Sequence, residues 1–220
     1  MNCRTCVLSL LAFLAFVPVT LPAAERREDP ETCTYALAIW NSRAGKVTRT
    51  IRIERKYSEI TEEERDRSAT GCTVCSEDQV RIKLTGLDSF SVCHVIADRV
   101  EGGLRDLIAQ GEPIFSVSGY RPVRSKGSLN ADGERTELSN HAFGTAIDIN
   151  RMHNGLYENC YEWSPECRLI QGGPWRPGES EGSLSPDGPI VRKMKSLGFQ
   201  WGGEIRASQK DFMHFSLSGF

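Results

Sequence analysis

Four histidines occur in the 220 residues, and two of them stand in segments that also carry a carboxylate. One segment is SNHAFGTAIDIN, with His141 and Asp148. The other is DFMHFSLS, with Asp211 and His214. Strand alternation over residues 145–150 puts Thr145, Ile147 and Ile149 on one face and Ala146, Asp148 and Asn150 on the other. Over residues 213–217, Met213, Phe215 and Leu217 share a face, and His214 and Ser216 take the opposite one. In both segments the polar candidate points away from the apolar side. If the two strands are neighbours, Asp148 and His214 project onto one open face of a sheet. His141 precedes the first strand, and Gly144 gives the backbone the freedom to bring its ring back over that face.

Two neutral imidazoles and a carboxylate suit one zinc ion, and a fourth position left to water would make such a site catalytic. Asp211, three residues before His214 and just ahead of the strand, is the candidate general base. Arg121, in SGYRP, is a candidate for holding a carboxylate or a developing oxyanion. Alternation alone would put Arg121 on the side of Phe115 and Val117, so the chain must turn at Gly119 to bring it to the site. Taken singly, each residue has a plain structural alternative. His153 reads as a solvated loop histidine, His94 as structural, and Trp163, Trp175 and Trp201 as core or as a cleft wall.

The joint pattern resembles a known family. SNHAFGTAID fits the SxHxxGxAxD signature of the M15 zinc peptidases, which include D-Ala-D-Ala carboxypeptidases and endolysins. DFMHF fits the second signature, SGYRP is similar to the segment with the family's arginine, and GFQWGGE is similar to the GFxWGG stretch. The resemblance covers roughly residues 113–217, with the motifs in the family's order. It implies His141, Asp148 and His214 as ligands of one Zn2+, Asp211 as catalytic base and Arg121 as a transition-state stabiliser. It also implies a role for Ser139 in binding substrate or orienting a neighbouring group. The implied substrate is a peptidoglycan stem peptide or similar short peptide, cut by carboxypeptidase or endopeptidase action. The expected function is therefore zinc-dependent hydrolysis of a peptide bond. A non-catalytic zinc-containing cell-wall binding protein is the alternative, and a disulfide-stabilised domain without metal is a third reading. Glu204 in WGGE departs from the family pattern and reads as a turn residue.

These residues need elements to hold them. Residues 47–54 and 80–84 alternate and read as half-buried strands; the charged stretch between them reads as a solvated loop or short helix. Val92, Ile96, Val100, Leu104 and Leu107 recur at helical spacing, with Ser89 as N-cap and Gly111 after the last turn. Residues 113–118 read as a strand, 122–138 as a loop and 151–188 as long irregular loops. Ile190, Met194 and Leu197 predict a short helix entered through Pro189 and stopped by Gly198. A last strand runs through residues 211–218. The mixture lacks βαβ regularity, so the expected fold is α+β: an antiparallel sheet carrying the zinc site, flanking helices and a disulfide-rich N-terminal part.

Residues 1–24 read as a signal peptide: Arg4, an apolar run over residues 7–19, then Ala23 and Ala24 before a charged stretch. That run is shorter than the ~20 residues of a membrane span, so no stable membrane insertion is expected after cleavage. Residues 25–112 read as N-terminal strands and helix of the same domain, and residues 113–220 as the peptidase core. The net charge of −2 gives no sign of a nucleic-acid partner. Six of the eight cysteines follow the leader. In an exported, periplasmic or secreted chain they read as disulfides, with Cys160 paired to Cys167 and the pairing of Cys33, Cys72, Cys75 and Cys93 open. A structural zinc site from Cys72, Cys75, Cys93 and His94 is the rival. Oligomeric state is left undetermined.

Overall fold

The computed structural model describes residues 28–68 and 70–220, so the expected signal peptide lies outside the described residues. The chain opens with a long antiparallel hairpin, β1 (Thr32–Asn41) and β2 (Lys46–Lys56). A second hairpin, β3 (Gln79–Ile82) and β4 (Phe90–Cys93), runs straight into helix α1 (His94–Ala109). Next come β5 (Val117–Ser118), the hairpin of β6 (Val123–Leu129) and β7 (Arg135–Leu138), and β8 (Ala146–Ile149). Short strands β9 (Leu156–Glu158) and β10 (Arg168–Gln171) precede helix α2 (Pro189–Ser196). The chain ends through β11 (Gln200–Trp201), β12 (Gln209–Asp211) and β13 (His214–Ser216).

The architecture is α+β, but the strands form several small sheets instead of one. Their orders are β2-β1-β6-β7, β3-β4, β10-β9-β12 and β11-β13-β8-β5. Every pair is antiparallel except β1 with β6. The site sheet is the last: β13 pairs β8 with His214 opposite Asp148, and β5 pairs the other edge of β8 with Ser118 opposite Asp148. One apolar cluster joins Leu37 of β1, Ile96 and Leu104 of α1, Ile147 of β8, Met194 of α2 and Phe215 of β13. No described helix is long and apolar enough to cross a membrane.

Several expectations need correction. Strand β2 forms, but it is an edge strand whose Val47 and Ile51 are about two-fifths exposed, so it is not half-buried. Strand β1 escaped the alternation reading, although Cys33, Tyr35, Leu37 and Ile39 form its buried face. The supposed loop of residues 122–138 is mostly the β6–β7 hairpin, held through polar positions. The charged stretch before β3 is not simply solvated: Glu64 and Asp66 are buried, Glu64 accepting from Tyr35 and Arg55. The helix begins at His94, because residues 90–93 pair as β4. Helix α2 matches its signals, with Pro189 in its first turn and Gly198 at φ +90° just past its end.

The disulfides are Cys33–Cys75, Cys72–Cys93 and the expected Cys160–Cys167. They consume the thiols of the rival zinc site. His94 Nδ1 instead lies 3.2 Å from the Asp78 carbonyl, a structural contact.

Candidate active site

Strand pairing does most of the assembly. The β8–β13 register sets Asp148 directly across from His214, on the same face of adjacent strands. His141 arrives from a 3-10 turn, Asn140–Phe143, that precedes β8. That turn ends on Gly144 at φ +66°. A Cβ at Gly144 would also lie 2.0 Å from Gln79 Oε1 and 2.5 Å from the Cys93 nitrogen. Glycine is therefore required both by the left-handed backbone and by the close approach of β3 and β4.

The result is a triangle. His141 Nε2, Asp148 Oδ1 and His214 Nδ1 lie 3.0 Å from one another. The face is not open as the alternation suggested: His141, Asp148 and His214 are 2%, 5% and 7% exposed. His141 Nδ1 lies 2.9 Å from both the Gly119 carbonyl and Arg121 Nη1, and the ring turns its Nε2 to the triangle. Burial pushes the His141 imidazolium down to about 4, against the opposing pull of Asp148. The ring is therefore neutral at pH 7. Burial alone would raise the Asp148 carboxyl, but its neighbouring imidazoles and the Arg121 guanidinium hold it well below its ordinary value. With His141 neutral, the permanent cation beside Asp148 is Arg121.

A zinc ion fits this donor set. Two imidazole nitrogens and a carboxylate oxygen, each able to offer an electron pair, converge at one almost wholly buried point. A tetrahedral zinc with ligands at about 2.0–2.1 Å has ligand edges of roughly 3.3 Å, so the triangle needs to open by only a few tenths of an ångström. Among the described residues, the one other group of potential ligands close enough together is Cys33, Cys75 and Glu77, whose cysteines are disulfide-bonded.

Arg121 does reach the site. The chain bends at Gly119, where a Cβ would lie 2.2 Å from the Ser91 carbonyl, and the Tyr120 and Arg121 amides bond to Ser91 and His141. Arg121 Nη2 donates to Asp148 Oδ2 at 2.6 Å, and Nη1 lies 2.9 Å from His141 Nδ1. It thus holds the carboxylate from behind the triangle. Its side chain stays 43% exposed.

Asp211 stands at the end of its own strand, β12, which pairs with β9 in a different sheet; it does not simply precede β13. Gly202 makes room for it, since a Cβ there would lie 2.2 Å from the Asp211 carbonyl. The Asp211 Oδ1 atom is enclosed and has no hydrogen-bond partner among the described residues. Burial, with Asp148 adding to it, raises this carboxyl to about 7; His214, Arg121 and Arg151 act in the opposite sense. Asp211 thus lies within electrostatic reach of Asp148, His214 and Arg121.

Ser139 is buried, and its hydroxyl accepts the His141 amide at 3.3 Å, capping the turn that delivers the ligand. Sequence reading passed over its neighbour, Asn140. That side chain donates to Ser216 Oγ at 2.6 Å and accepts from Lys126 Nζ at 2.9 Å, tying the His141 turn to β13. The signal was faint: Asn140 lies at a variable position inside the signature. Glu204 sits in a turn, in an exposed ion pair with Lys195, as the sequence suggested. His153 is not merely solvated; it packs on Phe115 and lies 2.9 Å from Ser180 Oγ. Trp175 and Trp201 are core, with Trp175 stacked on Phe212 at 3.7 Å, whereas Trp163 keeps 41% of its surface exposed.

A cleft of about 600 Å³ opens on Asp148 and is lined also by Ser118, Tyr120, Arg151 and Met152. Residues 132–217, the span holding His141, Asp148, Asp211 and His214, match the family model described as D-alanyl-D-alanine carboxypeptidase, and this match supports an M15 family peptidase.

Proposed function

We propose that the chain is an exported, zinc-dependent peptidase that hydrolyses a peptide bond in peptidoglycan stem peptides. The observation that carries the proposal is the buried triangle of His141 Nε2, Asp148 Oδ1 and His214 Nδ1, with the charge of Asp211 in reach of it. The family match covers all four residues, and the three disulfides suit an oxidising compartment.

His141, Asp148 and His214 would hold the zinc. When bound, zinc supplies Lewis acidity that polarises a scissile carbonyl and acidifies water at neutral pH. Asp211 takes the proton of the attacking water at its carboxylate and returns it to the departing amine. A carboxyl titrating close to the working pH suits both halves of that transfer. Arg121 keeps Asp148 ionised and oriented, and its partly exposed guanidinium is the candidate to stabilise charge that develops on the carbonyl oxygen. Ser139 caps the His141 turn, and the Gly119 carbonyl lies against the ring's Nδ1.

The test combines metal analysis with digestion of muropeptides and short D-Ala-terminated peptides by the purified, folded protein. Wild type is expected to carry one zinc and to cleave. His141→Ala should lose both properties. Asp211→Ala should keep the zinc and lose about 10²–10⁴-fold in kcat. Unchanged hydrolysis in either variant would sink the assignment. Bound zinc without cleavage of any stem peptide would favour a binding protein, and absence of zinc after gentle purification would favour a metal-free domain.

A further inference from the structure

After delivering Asp148, β8 leaves the site through a left-handed residue that is not glycine. Asn150 has φ 52° and ψ 51°, a conformation that a non-glycine residue keeps only where its surroundings offset the cost. Here they do. The Asn150 side chain is 1% exposed. Its Oδ1 accepts from the Phe115 and Ser116 amides at 2.7 and 3.2 Å, and its Nδ2 donates to the Pro113 and Gly182 carbonyls at 2.6 and 3.1 Å. Four residues on, the fully buried Asn154 donates to the Asn150 and Gly182 carbonyls and accepts from the Leu184 amide.

The other side of the turn is closed by glycines. The Gly173 amide donates to the Arg151 carbonyl at 3.0 Å. A Cβ at Gly173 would lie 1.8 Å from the Met152 carbonyl, and one at Gly172 would lie 2.6 Å from the Arg151 carbonyl. Residues 150–154 are thus fixed from both sides, one residue beyond the strand that carries a candidate zinc ligand.

This rigid turn presents two exposed side chains, Arg151 and Met152, the latter 68% exposed, and both line the cleft that opens on Asp148. Two other arginines nearby are engaged, Arg121 with Asp148 and Arg81 with Ser89 Oγ. Arg151 takes part in none of the ion pairs among the described residues, and its charge is felt at Asp211. An unpaired guanidinium on an immobilised backbone has much of its ordering cost met before a ligand arrives. Its planar fork of donors matches a carboxylate, and the pliant thioether beside it matches a small apolar side chain.

We propose that Arg151 is a specificity-determining residue that binds a carboxylate of the peptide substrate, with Met152 against the apolar group beside that carboxylate. The proposal rests on the peptidase reading. A peptide offers such a carboxylate at its C-terminus or on an internal side chain, and the source sets the bond that is cut. A C-terminal carboxylate makes the protein a carboxypeptidase; an internal one makes it an endopeptidase.

The test uses zinc-loaded wild type, Arg151→Lys and Arg151→Gln on two pairs of short peptides. One pair differs only in a C-terminal acid against its amide. The other differs only in an internal side-chain acid against its amide. Wild type is expected to prefer the acid in one pair by about 10- to 100-fold in kcat/KM, the range for a charged hydrogen bond. Arg151→Gln should reduce that preference to about twofold or less, through KM more than kcat, while Arg151→Lys keeps part of it. The pair that shows the effect names the source. Equal losses on acid and amide, or no loss, would overturn the proposal. Zinc content should match wild type, because Arg151 is exposed and outside the ligand set, and melting temperature should match at pH 5, where Asp211, whose ionised form Arg151 favours, is protonated. If wild type cleaves none of the peptides, the peptidase reading fails instead. Calorimetric binding of the same pairs then still decides the point: acid-over-amide binding that disappears in Arg151→Gln upholds the role of Arg151, and its absence in wild type overturns it.

Discussion

A buried carboxylate oxygen without a partner is costly, and Asp211 Oδ1 is one. The cost appears as a carboxyl raised to about 7, chiefly by burial, against an ordinary value near 3.8. In the metal-free protein the folded state therefore holds the Asp211 proton more tightly than the unfolded state does. Stability associated with this group is full below about pH 4 and is lost as pH rises towards 7, by up to roughly 4 kcal/mol at 1.4 kcal/mol per pH unit. His141 has the opposite sign: its lowered value near 4 favours the folded state increasingly as pH climbs towards 6.5. Comparing wild type with Asp211→Asn separates the two, since both proteins keep His141. The melting temperature of metal-free Asp211→Asn should exceed that of wild type at pH 8, and the gap should shrink or vanish at pH 4.5. A gap that does not change with pH would show that Asp211 ionises without cost. A variant stabilised in this way and inactive would fit a residue kept for chemistry at the expense of the fold.

Two glycines decide whether the elements bring the chemistry together, and they act on different residues. Gly144 lets the His141 turn lie against β4, and Gly202 lets Asp211 lie against the β11 end. Alanine at either position meets main-chain atoms that cannot step aside, with a stability loss of about 2 kcal/mol or more. Gly144→Ala should weaken zinc affinity, because it displaces a ligand. Gly202→Ala should keep zinc near stoichiometric and lower kcat, because it displaces the base. Isothermal titration with zinc and steady-state kinetics on the same preparations check this, and identical effects of the two variants would contradict it. That Asp148 and His214 each point away from the apolar side of their strand was legible from alternation, whereas the pairing of the two strands entered only as a condition and is a finding of the structure. Gly144 was legible for a similar reason: the turn before β8 needed a flexible backbone. The β6–β7 hairpin was not legible, because it is held by Arg124, Arg135 and Thr136 and has no apolar stripe. Strand β1 was missed because TYALAIW is apolar on both sides, which blurs the period. The Asn150 turn was hidden as well, since its hydrogen-bond partners come from residues 113–116 and 182, far away in sequence.

At the scale of the molecule, the N-terminal strands reach the site through one disulfide more than through the others. Cys93, joined to Cys72, donates its amide to the Gly144 carbonyl at 3.0 Å, and two residues earlier the Ser91 carbonyl accepts the Tyr120 amide at 2.7 Å. Strand β4 therefore buttresses the turn that carries His141 and the bend that carries Arg121. Cys33–Cys75 anchors β1 to the same region, whereas Cys160–Cys167, 7 apart in sequence, closes a loop whose Cys160 amide bonds to the Ser208 carbonyl just before β12. Chain entropy alone gives about 3 kcal/mol for the Cys72–Cys93 bridge and about 2 kcal/mol for the Cys160–Cys167 bridge, so stability would separate them poorly. Zinc affinity should separate them well. The double variant Cys72→Ser/Cys93→Ser is expected to bind zinc about tenfold more weakly, the size of effect seen when groups that orient a ligand are lost. Cys160→Ser/Cys167→Ser should bind zinc within about twofold of wild type under the same conditions. Denaturant titration beside the zinc measurement guards against simple unfolding, since both variants must be folded where affinity is read. Equal zinc affinity in the two would mean that β4 carries no strain-bearing support to the metal turn, and that the N-terminal strands stabilise the fold without shaping the site.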